Sequence, residues 1–141
     1  MLGRETVQMS VAPPSVLYVE DDPVCRDTVA AFLGMHELSV RTAVDAYLAL
    51  VALSAATPDV LLMGLAMPGF TGPDFLRLIR TDPRWRELPV IVLTARSETG
   101  SVLVDLGVRE VLLKSATSQR QILEACLRAC HRGSVASSRA A

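Results

Sequence analysis

Four short stretches hold the residue types from which polar chemistry could be assembled. Glu20-Asp21-Asp22 sets three carboxylates side by side, Thr94 offers a hydroxyl, Lys114 an ammonium, and Gly64-Leu65-Ala66 an open turn. Adjacent carboxylates suit the positive end of a helix. Other chemistries lack their parts: there is no Gly-x-Ser-x-Gly elbow, no phosphate-cradling glycine loop and no dinucleotide fingerprint. Cys126 and Cys130 stand four apart without a third ligand at zinc spacing and read as helix packing, as does Cys25. His36 and His131 are isolated, and Trp85 reads as a partly covered loop aromatic.

All four stretches directly follow an apolar run, so the runs must position them. Val16–Val19, Leu38–Thr42, Val60–Met63, Val90–Leu93 and Val111–Leu113 read as strands. Between and after them, helices are predicted over Pro23–Met35, Ala43–Ala55, Pro73–Arg80, a short stretch within Glu98–Leu106, and Ser118–His131. Pro23 sits where a first helical turn accepts proline, and Ser118 is an N-cap candidate. All but the second strand are continuous apolar runs without alternation, the pattern of burial on both faces. That predicts an α/β fold with a parallel sheet covered on each side by helices. Such sheets bind ligands beyond the carboxyl ends of their strands, where the four stretches lie.

The 141 residues suffice for one domain with a sizeable core. Half are hydrophobic and 14 basic residues oppose 15 acidic ones, so no basic excess points to nucleic acid or an anionic membrane. No apolar run is long enough to span a bilayer, and the first residues lack the apolar stretch of a secretory signal. With three cysteines at unrelated spacings, this predicts a cytoplasmic protein. Residues 1–14, ending in Pro13-Pro14, read as a flexible leader, 15–131 as the folded domain, and 132–141 as a flexible tail. No output domain follows residue 131, so we expect a stand-alone module acting through partners, or one domain of a longer protein.

The stretches VLYVEDDPVCR, PDVLLMGLAMPGFTGPDFLRLIR, LPVIVLTAR and GVREVLLKS, in this order, resemble the receiver domain of bacterial two-component response regulators. The resemblance covers residues 15–131. It implies the flavodoxin-like (βα)5 fold with strand order 2-1-3-4-5. It also implies phosphoryl transfer to an aspartate, with Mg²⁺ held by an acidic pair matched by Glu20 and Asp21 and by a backbone carbonyl matched by Ala66. Thr94 and Lys114 match the groups that bind the phosphoryl oxygens.

The acceptor position itself is Gly64, which has no side chain to serve as nucleophile or metal ligand. Val111 stands where the family carries its switch aromatic, and Ser115 where a proline follows the lysine. These departures predict a pseudo-receiver, with Mg²⁺ binding weak or absent for want of the third carboxylate. Three carboxylates and Lys114 are expected to converge, with Lys114 neutralising Asp21 or Glu20 in a static ion pair. The expected function is phosphorylation-independent docking to a protein partner: a sensor kinase, another receiver or an output protein. The family's face of fourth helix, fifth strand and fifth helix places Val102, Val104, Arg109, Arg120 and Arg128 at that interface, or at a homodimer contact. Two alternatives stand beside it: a conventional regulator with a displaced acceptor such as Asp21 or Asp22, and a small-molecule or anion sensor using the space at Gly64.

Overall fold

The computed structural model describes residues 12–96 and 100–140, with residues 100–101 and 131–140 by their backbone only. Strand β1 (Ser15–Val19) leads to helix α1 (Pro23–Met35), β2 (Ser39–Ala43) to α2 (Ala46–Ala55), and β3 (Val60–Met63) to α3 (Gly72–Arg80). β4 (Val90–Thr94) then leads to α4 (Gly100–Asp105), and β5 (Val108–Leu113) passes through a 3₁₀ turn (Lys114–Ala116) into α5 (Gln119–Ala140). The five strands pair in parallel in the order β2-β1-β3-β4-β5, the (βα)5 flavodoxin-like arrangement.

Side chains alternate along each strand, so the apolar runs supply two cores at once. Leu17, Val19, Leu61, Met63, Val90 and Val92 face Ala49, Leu53, Phe75, Leu76, Ile79 and Leu103 of the helices on one side. Val16, Tyr18, Val60, Leu62, Ile91 and Leu93 face Val29 and Leu33 of α1 and Ile122, Ala125 and Cys126 of α5 on the other. β2 and β5 are the sheet edges, and their burial is correspondingly incomplete.

Helix starts follow local capping chemistry. The Asp22 carboxylate accepts from Val24 N (3.0 Å) ahead of Pro23, Asp45 accepts from Leu48 N (2.8 Å), and Thr71 accepts from Asp74 N (3.2 Å). At the far end of α2, Arg41 donates to the carbonyls of Ala52 (2.9 Å) and Ala56 (2.6 Å). Arg80, at the end of α3, donates to the carbonyls of Trp85 (2.8 Å), Leu88 (2.8 Å) and Leu106 (2.9 Å). One guanidinium thus ties the segment entering β4 to the turn entering β5.

Several boundaries differ from the sequence reading. Pro14 already belongs to the sheet frame, its carbonyl accepting from Ser39 N (2.9 Å), while residues 1–11 of the expected leader lie outside the described residues. β5 begins three residues early, at Val108, because a register shift beside Val90/Ile91 lets the strand extend past the polar pair Arg109-Glu110. α5 continues to Ala140, past His131, where a tail was expected. Ala, Ser and Arg extend an existing helix at little cost. Trp85 is buried, not partly covered: it packs in the core and its indole N–H donates to Thr57 Oγ1 (3.2 Å). Cys25 is half-buried, with its Sγ 3.4 Å from the Tyr18 hydroxyl. No described helix is long and apolar enough to cross a membrane.

Candidate functional site

The parallel sheet carries the ends of β1, β3, β4 and β5 to one edge. There Glu20, Asp21, Asp22, Gly64, Ala66, Thr94 and Lys114 line a single depression of about 260 Å³. Residues from four separate stretches of the chain therefore meet as expected, but the carboxylates do not share one role.

Glu20 is buried, 3% exposed, where a charge must be paired. Its Oε1 lies 2.9 Å from Lys114 Nζ and accepts from the Tyr18 hydroxyl (3.4 Å), and its Oε2 accepts from Asp22 N (3.1 Å). The carboxylate thus meets an ammonium, a phenol and a backbone amide. Burial alone would lower the Lys114 pKa, but the hydrogen bond and charge of Glu20 outweigh it and leave the ammonium above its ordinary value. Burial also drives the Tyr18 phenol well above its ordinary range, reinforced by its hydrogen bonds to Cys25 and Glu20, so Tyr18 serves as a neutral donor.

Gly64 faces this pair. A Cβ built on it would stand 3.5 Å from Glu20 Oε1 and 3.6 Å from the Leu93 carbonyl, ordinary van der Waals contacts. Neither sterics nor a left-handed backbone requires glycine there. The long Glu20 side chain reaches across the front of this position to Lys114.

The other carboxylates are placed differently. Asp22 is exposed and committed to capping α1. Asp21 is exposed and makes no contact with Lys114, so of the two partners expected for the lysine the structure selects Glu20. The expectation that all three carboxylates converge with the lysine is met only in that they share the rim. Among the described residues no group of three His, Cys, Asp or Glu is placed to hold a metal ion. Thr94 is buried and its Oγ1 accepts from Arg96 N (3.2 Å), closing a tight turn at the end of β4. Ser115 continues the 3₁₀ turn begun at Lys114.

A model of the response regulator receiver domain matches residues 16–126, nearly the whole described fold. The chain is a receiver domain. At the sequence level this receiver is 33% identical over 118 residues to the transcriptional regulatory protein AfsQ1 of Streptomyces coelicolor, covering 82% of this chain and 50% of that protein. It is 38% identical over 89 residues to response regulator Rre1 of a Synechocystis strain, covering 62% of this chain and 38% of that protein. The chain spans half or less of the length of these curated relatives. Among solved structures, the chemotaxis response regulator CheY4 of Vibrio cholerae superposes with a TM-score of 0.77 at 26% identity, over 84% of this chain and 99% of that one. Receiver domains are signalling modules of two-component systems, and the polar depression lies beyond the carboxyl ends of the parallel strands.

Val111, where the resemblance expects the switch aromatic, is 41% exposed on β5. The expected interface residues Val102, Val104, Arg109 and Arg120 are exposed along α4, β5 and α5. Arg128 is there too, but its guanidinium is held by Glu110 through Nε–Oε2 (3.0 Å) and Nη2–Oε1 (2.8 Å). Sequence reasoning missed Tyr18 and Arg80. Tyr18 reads as one more apolar strand residue, and only the sheet turns its hydroxyl toward Glu20. Arg80 carries no motif, since its partners are carbonyls up to 27 residues away.

Proposed function

We propose that this receiver is a pseudo-receiver: a signalling module of a two-component or phosphorelay pathway that works by docking, without accepting a phosphoryl group. The observation that carries the reading is the ion pair between buried Glu20 and half-buried Lys114 beside Gly64. The ammonium that would meet a phosphoryl oxygen is already neutralised, and the position that would supply the nucleophile has no side chain. Glu20 does not offer a substitute nucleophile: its carboxylate is buried and its two oxygens are engaged by three donors.

The donor set does not suit Mg²⁺ either. That ion asks for near-octahedral oxygen coordination anchored by one or two carboxylates. Glu20 is spent on Lys114 and Asp22 on its cap, which leaves exposed Asp21 and the Ala66 carbonyl. The site therefore reads as a fixed ion pair that holds one conformation. The face of α4, β5 and α5, with Val102, Val104, Arg109 and Arg120 exposed, is where a kinase, another receiver or an output protein would dock.

The test is intact mass after incubation with Mg²⁺ and a small-molecule phosphoryl donor. The native chain should gain nothing. The double variant Glu20→Asp, Gly64→Asp shortens the first acid so that it releases Lys114, places a carboxylate at the acceptor position, and should gain one phosphoryl group. A gain on the native chain would overturn the proposal and turn attention to Asp21 and Asp22.

A further inference from the structure

We propose that a second copy of this chain docks on the face formed by α2 and the β3–α3 loop, each copy inserting Tyr47 into a pocket of the other. α2 reads Ala-Tyr-Leu-Ala-Leu-Val-Ala-Leu-Ser-Ala and carries no charged residue. Its inner side, Ala46, Ala49 and Leu53, is buried against the sheet. Its outer side is apolar as well: Tyr47 is 73% exposed, Val51 51% and Leu48 42%. A helix that is hydrophobic all round is ordinarily covered on all sides. Here only one side is covered within the chain.

Beside this face lies a pocket of about 270 Å³, lined by Asp45, Leu50, Phe70, Phe75 and Leu78, with Tyr47 on its rim. Phe70 and Phe75 meet edge to face, 6.4 Å between centroids, and form an aromatic wall. The size and lining suit one large aromatic side chain, and Asp45 supplies an acceptor for a phenol hydroxyl at the otherwise apolar site. An exposed aromatic knob and an aromatic hole thus stand next to each other on one patch. That is the self-complementarity a two-fold interface requires, since the same surface must serve as both partners.

Charge favours the same occupant. Two copies of α2 bring no like charges together, and the nearest charges on α3, Asp74 and Arg77, pair with each other at 2.9 Å. The one acidic group in the pocket lining, Asp45, already accepts from Leu48 N (2.8 Å), so a strongly charged partner would find little here to complement it. The patch also sits over β1 and β2, at the opposite end of the sheet from β5, so a contact here leaves the α4–β5–α5 face open. The inference is therefore independent of the docking proposed there.

Sedimentation equilibrium of the full chain, from low micromolar to millimolar concentration, tests it. The native mass should rise toward twice the protomer. Tyr47→Glu should raise the dissociation constant at least about tenfold, as loss of an interface anchor does. Glutamate in the first turn suits the helix dipole, so the fold should survive. Phe70→Ser, on the opposite wall of the pocket, should weaken association in the same way, while Val104→Glu on the other face should leave it unchanged. A chain that stays monomeric throughout overturns the inference. So does a dimer that Val104→Glu dissolves and Tyr47→Glu does not.

Discussion

Glu20 is the residue on which the site turns. A glutamate spans one methylene more than an aspartate, enough here to hold Lys114 at 2.9 Å from a strand end while staying buried. Removing the lysine would leave a buried carboxylate with only neutral donors, so Lys114→Met should destabilise the fold by on the order of 2 kcal/mol, less than for a fully enclosed pair because the lysine is partly open to water. The pH dependence has a definite sign. The folded Lys114 holds its proton above the ordinary 10.5, so the pair contributes fully below that pH and its contribution fades as pH rises through the folded value. The raised Tyr18 phenol and the Cys126 thiol, pushed up to about 12 by burial, act in the same direction, because the unfolded chain ionises first. Urea midpoints should therefore fall steadily from about pH 9 upward, and the fall should be shallower in Lys114→Met. Equal slopes in both proteins would mean the ion pair contributes nothing.

Element boundaries rest on a few close approaches. Gly72 opens α3 with its amide donating to the Leu65 carbonyl (2.8 Å), and a Cβ there would stand 2.9 Å from Leu65 Cα. Backbone cannot yield as a side-chain tip can, so Gly72→Ala should cost about 2 kcal/mol and loosen the turn that carries Ala66. Its signature is a lowered melting temperature together with faster amide exchange across residues 65–72. Gly64→Ala, by contrast, meets only ordinary contacts and should leave the melt within about 0.5 kcal/mol of native. Arg80 acts between elements. Arg80→Met keeps the packing of the stem but orphans the carbonyls of Trp85, Leu88 and Leu106, and should destabilise by about 2–4 kcal/mol. Thermal or chemical denaturation would read that loss directly, and a neutral result would mean water replaces the guanidinium.

At the scale of the whole molecule, the sheet separates three surfaces by position. Its carboxyl-end edge gathers the polar depression, its β5 edge exposes Val102, Val104 and Arg109, and its β2 edge exposes the apolar side of α2. Charge reversal distinguishes these surfaces. Arg109→Glu should weaken binding of a protein partner docked on the α4–β5–α5 face at least severalfold, with a matching change in salt dependence, and should leave the ion pair and the stability of the fold intact. Affinity unchanged by this substitution in a binding titration would move the partner elsewhere. The sequence by itself determined the parallel α/β sheet, because two-sided burial leaves runs of apolar residues that nothing else explains, and it determined which four stretches meet, because each follows a strand. It also placed Gly64 where the resemblance expects an aspartate. Only the tertiary structure decided which carboxylate Lys114 pairs with, because Glu20, Asp21 and Asp22 are neighbours in the chain and the strand end and the helix cap turn them in different directions. It alone decided that Trp85 is core, that Arg80 is a clamp, and that the outer side of α2 is left bare, since these depend on what other segments cover.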